Sequence, residues 1–239
     1  MRISRYAPVD PVVHPGRRIA LVAASAGLGA VLWPRAGAAQ ATEQLSLPQP
    51  ARGATRSLQE ALERRRSVRS YGPQALDAAM LSALLWAGQG ITSERGLRTA
   101  PSAGALYPLE LHAVVRRVEG WSAGHYRYVP HANAVERLGA VGDAELARAA
   151  GGQGPVTSAP LVLVIAAVPS RTAAKYGARA ARYVAFEAGA ASQNIALQAA
   201  ALGLGTVVVG AFDEGRLAEA LHLQPGVEPM VLMPVGRPG

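Results

Sequence analysis

The run Arg64-Arg65-Arg66-Ser67-Val68-Arg69-Ser70-Tyr71 crowds four guanidinium groups and a hydroxyl into one polar turn. Arginine presents a planar fork of donors that matches phosphate oxygens in pairs, and it stays charged at every physiological pH. The cluster therefore suits a phosphorylated ligand, although a solvated run of like charge is the commoner reading of such a pattern taken alone. A second candidate is Thr99-Ala100-Pro101-Ser102-Ala103-Gly104-Ala105-Leu106-Tyr107-Pro108. Its small residues permit close backbone approach, and Pro101 and Pro108 stiffen the flanks. Main-chain groups there can meet the edge of a planar ligand without side-chain obstruction; a plain tight turn before a strand uses the same residues.

The elements that must position these residues follow from periodicity and caps. Ser57 with Glu60 three residues on has the capping-box spacing, so ordered structure is expected to start there with a helix to about Arg65. A second helix is expected over Leu76 to Gly88, where Met80, Leu81, Leu84 and Leu85 recur at helical spacing, followed by a flexible loop with Gly88, Gly90 and Gly96. Strands are expected over Leu109 to Val118, Leu161 to Val168, Thr206 to Val209 and Pro229 to Val235, with a hairpin from His125–Pro130 and Ala134–Leu138. The uninterrupted apolar run from Leu161 is that of a central strand. Short helices are expected at Asp143–Ala150 and Glu214–Leu221. Between them, Arg179 to Leu202 reads as one long helix with few charges, hence buried. Glu187, Asn194 and Gln198 share one of its faces, with Tyr183 and Phe186 near the upper end. Those polar residues argue against a membrane span and for packing against a subunit partner or beneath a cofactor.

The front of the chain reads as a targeting segment. Gly16-Arg17-Arg18 precedes an apolar stretch from Ile19 to Trp33 and small residues around Ala36-Gly37-Ala38-Ala39, the layout of an export signal with paired arginines of the twin-arginine type. The apolar core falls short of the roughly 20 residues that span a bilayer. Residues 1–39 are thus expected to be the signal, 40–55 a tether and 56–239 the folded domain, with a periplasmic destination; an uncleaved anchor helix, or basic residues placed there by chance, is the alternative. The signal carries five arginines against Asp10, half of the formal +8 of the chain, so the mature protein is only mildly basic. No basic stripe interleaved with aromatics points to nucleic acid. The chain has no cysteine, which excludes disulfides, thiolate metal sites and a cysteine nucleophile. His112, His125, His131 and His222 are dispersed without ligand spacing.

The ordered series RRSVRSY, PSAGALYP, KYGARAARYVAFEAGAASQNIALQAAALGLG, VVVGAFD and MPVGRP resembles the nitroreductase superfamily, and within it the SagB-type dehydrogenase branch, over nearly the whole mature chain. The resemblance implies an α+β fold with a mostly antiparallel central sheet flanked by helices, a homodimer, and FMN held at the subunit interface for two-electron transfer. Carried over by position, Arg65, Arg66, Ser67 and Arg69 would clamp the FMN phosphate and ribityl chain. Pro101, Ser102, Ala103 and Gly104 match the turn that approaches the flavin ring from the other subunit, and Val208, Val209, Gly210 and Ala211 match the segment beside the ring. Related enzymes often place an acidic residue where this chain has Gly210. Arg237, in the closing Gly236-Arg237-Pro238-Gly239, is a further candidate for the phosphate.

Lys175 and Tyr176 match the Lys-Tyr pair that the SagB-type branch uses to remove a substrate proton during azoline oxidation. A lysine desolvated beside a flavin can act as a base, and a neighbouring tyrosine can orient the proton; a surface lysine beside a half-buried tyrosine is the plainer alternative. Three functions stay open on the sequence. One is an FMN oxidoreductase acting on a small substrate such as a nitroaromatic or quinone. The others are a peptide azoline dehydrogenase and a flavin-binding protein without turnover. Export makes soluble NAD(P)H scarce, so a quinol or redox protein is the expected electron donor.

Overall fold

Seven strands hydrogen-bond into one sheet in the order β1-β4-β3-β2-β5-β7-β6, every ladder antiparallel. They are β1 (Gln44–Ser46), β2 (Leu109–Val115), β3 (Gly124–Val129), β4 (Ala134–Gly139), β5 (Leu161–Ala167), β6 (Gly205–Thr206) and β7 (Glu228–Gly236). The helices are α1 (Leu58–Arg64), α2 (Ala78–Gln89), α3 (Asp143–Ala149), α4 (Gly154–Ser158), α5 (Pro169–Tyr176), α6 (Ala180–Ala201) and α7 (Glu214–Ala220). This is a computed structural model that describes residues 43–50 and 56–239. The expected export signal lies outside the described residues.

β5 is the centre of the sheet, as its apolar run requires. All seven of its residues are fully buried between β2 and β7. The pleat then sorts the neighbours onto two faces. Leu109, Leu111, Ala113 and Val115 of β2 join one core with Leu81, Leu84 and Leu85 of α2 and Val184, Ala191 and Ile195 of α6. Val114 of β2 and Val162 and Val164 of β5 join a second core with Leu146 of α3, Val156 of α4 and Leu217 of α7. The sheet thus separates α2 and α6 from α3, α4 and α7.

The helix starts follow their caps. The Ser57 hydroxyl accepts the Glu60 N–H while Glu60 Oε2 accepts the Ser57 N–H at 2.8 Å, so both halves of the capping box form. Asp77 caps α2 by accepting the Met80 N–H at 2.7 Å. The structure departs in kind from two expectations. Part of the expected tether is strand: Gln44–Ser46 pairs with β4, Leu47 is buried, and the Ser82 hydroxyl donates to Pro48 O. The strand expected at Thr206–Val209 closes after Thr206, because Val208 turns outward while Val209 pairs alone with Leu232. Lys175 and Tyr176, which no expected element included, end helix α5. That helix is short and buries only Thr172.

Candidate functional site

Helix α6 organises the site through the polar face seen in its sequence. Glu187 is 6% exposed, and its Oε1 accepts the Ala103 N–H at 2.8 Å. Two turns further on, Asn194 Nδ2 donates to Thr99 O at 3.1 Å. These bonds tie both ends of the 99–104 segment to one rigid helix. Ser102 completes the turn by accepting the Tyr107 N–H on its hydroxyl at 2.9 Å. Gly104 adopts φ 63°, the left-handed region where glycine carries no Cβ penalty.

Lys175 and Tyr176 converge on that glycine. A Cβ placed on Gly104 would lie 2.9 Å from Tyr176 Oη and 3.1 Å from Lys175 Nζ. The bare backbone therefore lets an ammonium and a phenol meet above the turn. Tyr176 packs edge-on against Tyr183 of α6, ring centroids 4.9 Å apart, which fixes its ring. The Lys175 ammonium sits 5.5 Å from the Tyr176 ring centroid. Lys175 is exposed, so this chain alone does not supply the desolvation that the sequence reading attached to it. A signal that the sequence reading missed is that Lys175 is the only lysine among 24 Lys and Arg residues. Arginine cannot release its proton at usable pH, so a lone lysine in an arginine-rich chain marks where proton transfer is possible.

The arginine segment is built at the other end of α6. After α1 stops, with the Arg65 N–H on Ala61 O, the chain runs beside β6: Ser67 bridges Thr206 and the Val68 N–H donates to Thr206 O at 2.9 Å. The last residues lie along its far side, where the Gly72 N–H donates to Arg237 O and the Gly239 N–H to Ser70 O. Tyr71 Oη, 2.7 Å from Val68 O and 3.0 Å from Pro234 O, locks the turn; burial pushes its phenol well above the usual range. Among the described residues no carboxylate lies within 4 Å of Arg64, Arg65, Arg66 or Arg69. Arg56, Arg64, Arg66 and Thr206 also line a cavity of about 180 Å³. The Thr206 hydroxyl, 4% exposed, has no hydrogen-bond partner among the described residues. Arg66 Nη1 donates to Arg65 O at 2.7 Å and Arg56 Nη1 to Ala200 O at 2.8 Å, so these groups are held by backbone while their charge meets no carboxylate. Guanidinium groups without a counter-charge next to an unsatisfied buried hydroxyl are chemistry that fits a phosphate.

Beyond β6, Val208 is 53% exposed, and Gly210 and Ala211 are exposed while Val209 is buried. Gln153 Nε2 donates to Ala211 O at 2.6 Å and holds the segment from the α4 side. Nothing lies within 4 Å of a Cβ built on Gly210, so that surface is open. The structure thus brings Lys175 and Tyr176 onto the 102–104 turn and sets Ser67 and Val68 of the arginine segment on β6, with Arg237 meeting the chain further along at Gly72. Among the described residues no hydrogen bond or ion pair joins these two groups.

The histidines are less dispersed than their spacing suggests. His112 Nδ1 and His125 Nε2 lie 2.9 Å apart on adjacent strands, both side chains buried. Among the described residues no group of three or more His, Cys, Asp or Glu residues is arranged to hold a metal, and no described helix is long and apolar enough to cross a membrane.

Comparison with known proteins agrees with this architecture. The Nitroreductase family profile matches residues 62–237. Two similar proteins carry the name "putative nitroreductase": one from Methanocaldococcus jannaschii, 47% identical over 75% of this chain and 90% of its own length, and one of known crystal structure from Ralstonia eutropha, 30% identical with a TM-score of 0.73 over 87% of this chain and 96% of that one. The microcin B17-processing protein McbC of Escherichia coli is 31% identical over 56% of this chain and 52% of its own length, so the match spans about half of that protein. With the profile and the archaeal relative both covering most of the chain, the protein belongs to the nitroreductase family and is an oxidoreductase of that superfamily.

Proposed function

We propose that the chain is an FMN-dependent oxidoreductase that carries out two-electron transfer with a small organic substrate as a homodimer. The observation that carries it is the convergence of Lys175 Nζ and Tyr176 Oη on the bare Gly104 backbone, in a chain that also presents an uncompensated arginine cluster. The donor set fits the phosphate of FMN, and the open surface at Gly210 fits the approach of its flat ring.

Bound FMN supplies the hydride-transfer chemistry. Arg65, Arg66, Ser67 and Arg69 hold the phosphate and ribityl chain, with Arg237 beside them. Main-chain groups of Pro101–Gly104 and Val208–Ala211 border the ring. Lys175 takes or delivers the substrate proton at Nζ, and Tyr176 Oη orients it, because both side-chain ends share the space over Gly104. Glu187 holds the Ala103 N–H and so keeps that turn from moving under load.

The two groups stand apart on one chain, and a second copy brings them together. Large apolar side chains that are left exposed support that assembly: Leu58 (66%) and Leu62 (50%) on one face of α1, and Phe186 (65%) on α6. Such a face is costly in water and becomes favourable when covered. The second copy also supplies the desolvation that exposed Lys175 lacks.

A second reading, dehydrogenation of a peptide azoline, is favoured by the Lys175–Tyr176 pair together with the likeness to McbC. Lys175→Ala tests both. Proton transfer by Lys175 predicts a loss of turnover of about 10²-fold or more with bound FMN unchanged; unchanged turnover removes the base role. Assays with a quinone and with an azoline peptide then decide between the readings. We also infer that residues 1–39 export the protein by the twin-arginine route. Periplasmic recovery that is lost on Arg17→Lys with Arg18→Lys supports it, and equal recovery contradicts it.

A further inference from the structure

The face of the sheet away from α2 and α6 carries a second polar cluster that the oxidoreductase chemistry does not use. Along β2, Glu110, His112 and Val114 alternate onto this face, and along β3 so do His125 and Arg127. Toward β5 the face is apolar and covered by α3, α4 and α7. Toward β3 and β4 it is polar, and the turn after α7, from Leu221 to Val227, passes over it. A cavity of about 310 Å³ lies between them, lined by Glu110, His112, Arg127, Leu138 and, from the turn, His222, Leu223, Gln224 and Val227. That volume is at the lower end of the small-molecule range, ~300–1,000 Å³.

His112 is the unusual member. It is 2% exposed, its Nδ1 is occupied by His125 Nε2 at 2.9 Å, and its Nε2 is buried with no hydrogen-bond partner among the described residues. Burial and the Arg127 charge hold His112 down at about 4, and burial with the neighbouring His112 and His222 holds His125 at about 3, so the pair is neutral. A buried polar atom left unsatisfied is destabilising, and a folded chain seldom retains one without a partner for it. The charges around the cavity are already compensated from outside: Arg171 Nη2 donates to Glu110 at 2.5 Å, and Arg127 Nη2 to Glu136 at 2.5 Å. Among the described residues the Glu136 bond is the one hydrogen bond of the Arg127 guanidinium, while Leu138, Leu223 and Val227 give an apolar wall.

We propose that this cavity binds a small organic carboxylate, with its oxygens on Arg127 and His112 Nε2 and its apolar body against Leu138, Leu223 and Val227. Donation from His112 Nε2 requires the tautomer in which His125 Nε2–H donates to His112 Nδ1, a hydrogen-bond order that the 2.9 Å pair permits. The sheet lies between this face and α6, and the Arg171–Glu110 pair links the cavity lining to α5, the helix that carries Lys175.

The test is titration of the full-length, FMN-loaded protein, labelled with ¹⁵N-histidine, with benzoate and separately with benzyl alcohol. Benzoate is expected to shift the His112 Nε2 resonance saturably, at least about 10-fold tighter than the alcohol. His112→Asn removes the reporter and risks the fold, so Val227→Trp, placed in the half-buried turn, provides the second variant. It is expected to fill the cavity and abolish benzoate binding while leaving FMN content and turnover intact. No shift with benzoate, equal binding of the alcohol, or an unaltered shift in the folded Val227→Trp protein each overturns the proposal. A crystal structure with benzoate in which only water meets His112 Nε2 overturns it as well.

Discussion

A single lysine among 24 basic residues deserves its own explanation, and the space above Gly104 gives one. Arginine would place a permanent charge there; lysine alone can exchange a proton. Tyr176 then has to hold its hydroxyl beside the ammonium, which its edge contact with Tyr183 accomplishes. Replacing Tyr183 with Leu removes that support and is expected to lower turnover several-fold with the FMN content maintained, read by stopped-flow reduction and oxidation of the flavin. Gly104→Ala tests the same space from below. At φ 63° an alanine costs about 1 kcal/mol, and its methyl group also displaces Lys175 and Tyr176. The expected outcome is a slightly lower thermal midpoint with a disproportionate loss of turnover; a loss of stability with full turnover would separate the glycine from the chemistry.

At the scale of elements, α6 does the positioning. Its polar residues sit where the helical period places them, and two of them, Glu187 and Asn194, carry the turn that faces Lys175. Asn194→Leu frees Thr99 O and is expected to loosen the 99–104 segment, visible as faster amide exchange at Ala103 and Gly104 with α6 itself unaffected. Asp77→Ala, in contrast, removes a cap far from the site and is expected to cost about 1 kcal/mol of stability with turnover unchanged. These elements differ in how legible they are in sequence. The cap at Ser57, the uniform apolar run of β5 and the face of α6 each repeat a local rule, so sequence shows them, whereas periodicity places the start of α2 at Leu76 and the Asp77 cap sets it at Ala78. Helix α5 buries one residue and β1 is a three-residue edge held by β4, so both depend on neighbours remote in the chain. The same holds for His112 and His125: thirteen residues apart, they meet only because the β2–β3 register sets Val114 opposite His125 and His112 opposite Arg127.

For the whole molecule, the buried histidine pair sets a pH limit. Both groups titrate near 6.5 when unfolded and at about 4 and about 3 when folded. Between those values the unfolded chain binds more protons, so stability falls as pH drops below 6.5. The slope is about 1.4 kcal/mol per pH unit for each imidazole and levels off below the folded values. Urea midpoints across pH 7 to 4 check this, and His125→Phe is expected to flatten the dependence. The exposed apolar face of α1 and α6 predicts association: Leu58→Glu with Phe186→Glu is expected to yield a monomer by sedimentation that no longer retains FMN. The central claim is that the arginine segment recognises the phosphate of a flavin. Parallel titration of flavin-free protein with FMN and with riboflavin, which lacks the phosphate, addresses it directly. The account predicts one FMN per chain, bound at least about 100-fold more tightly than riboflavin, with the difference collapsing in Arg65→Gln with Arg69→Gln. Equal affinity for the two flavins, or no flavin binding at all, would contradict it.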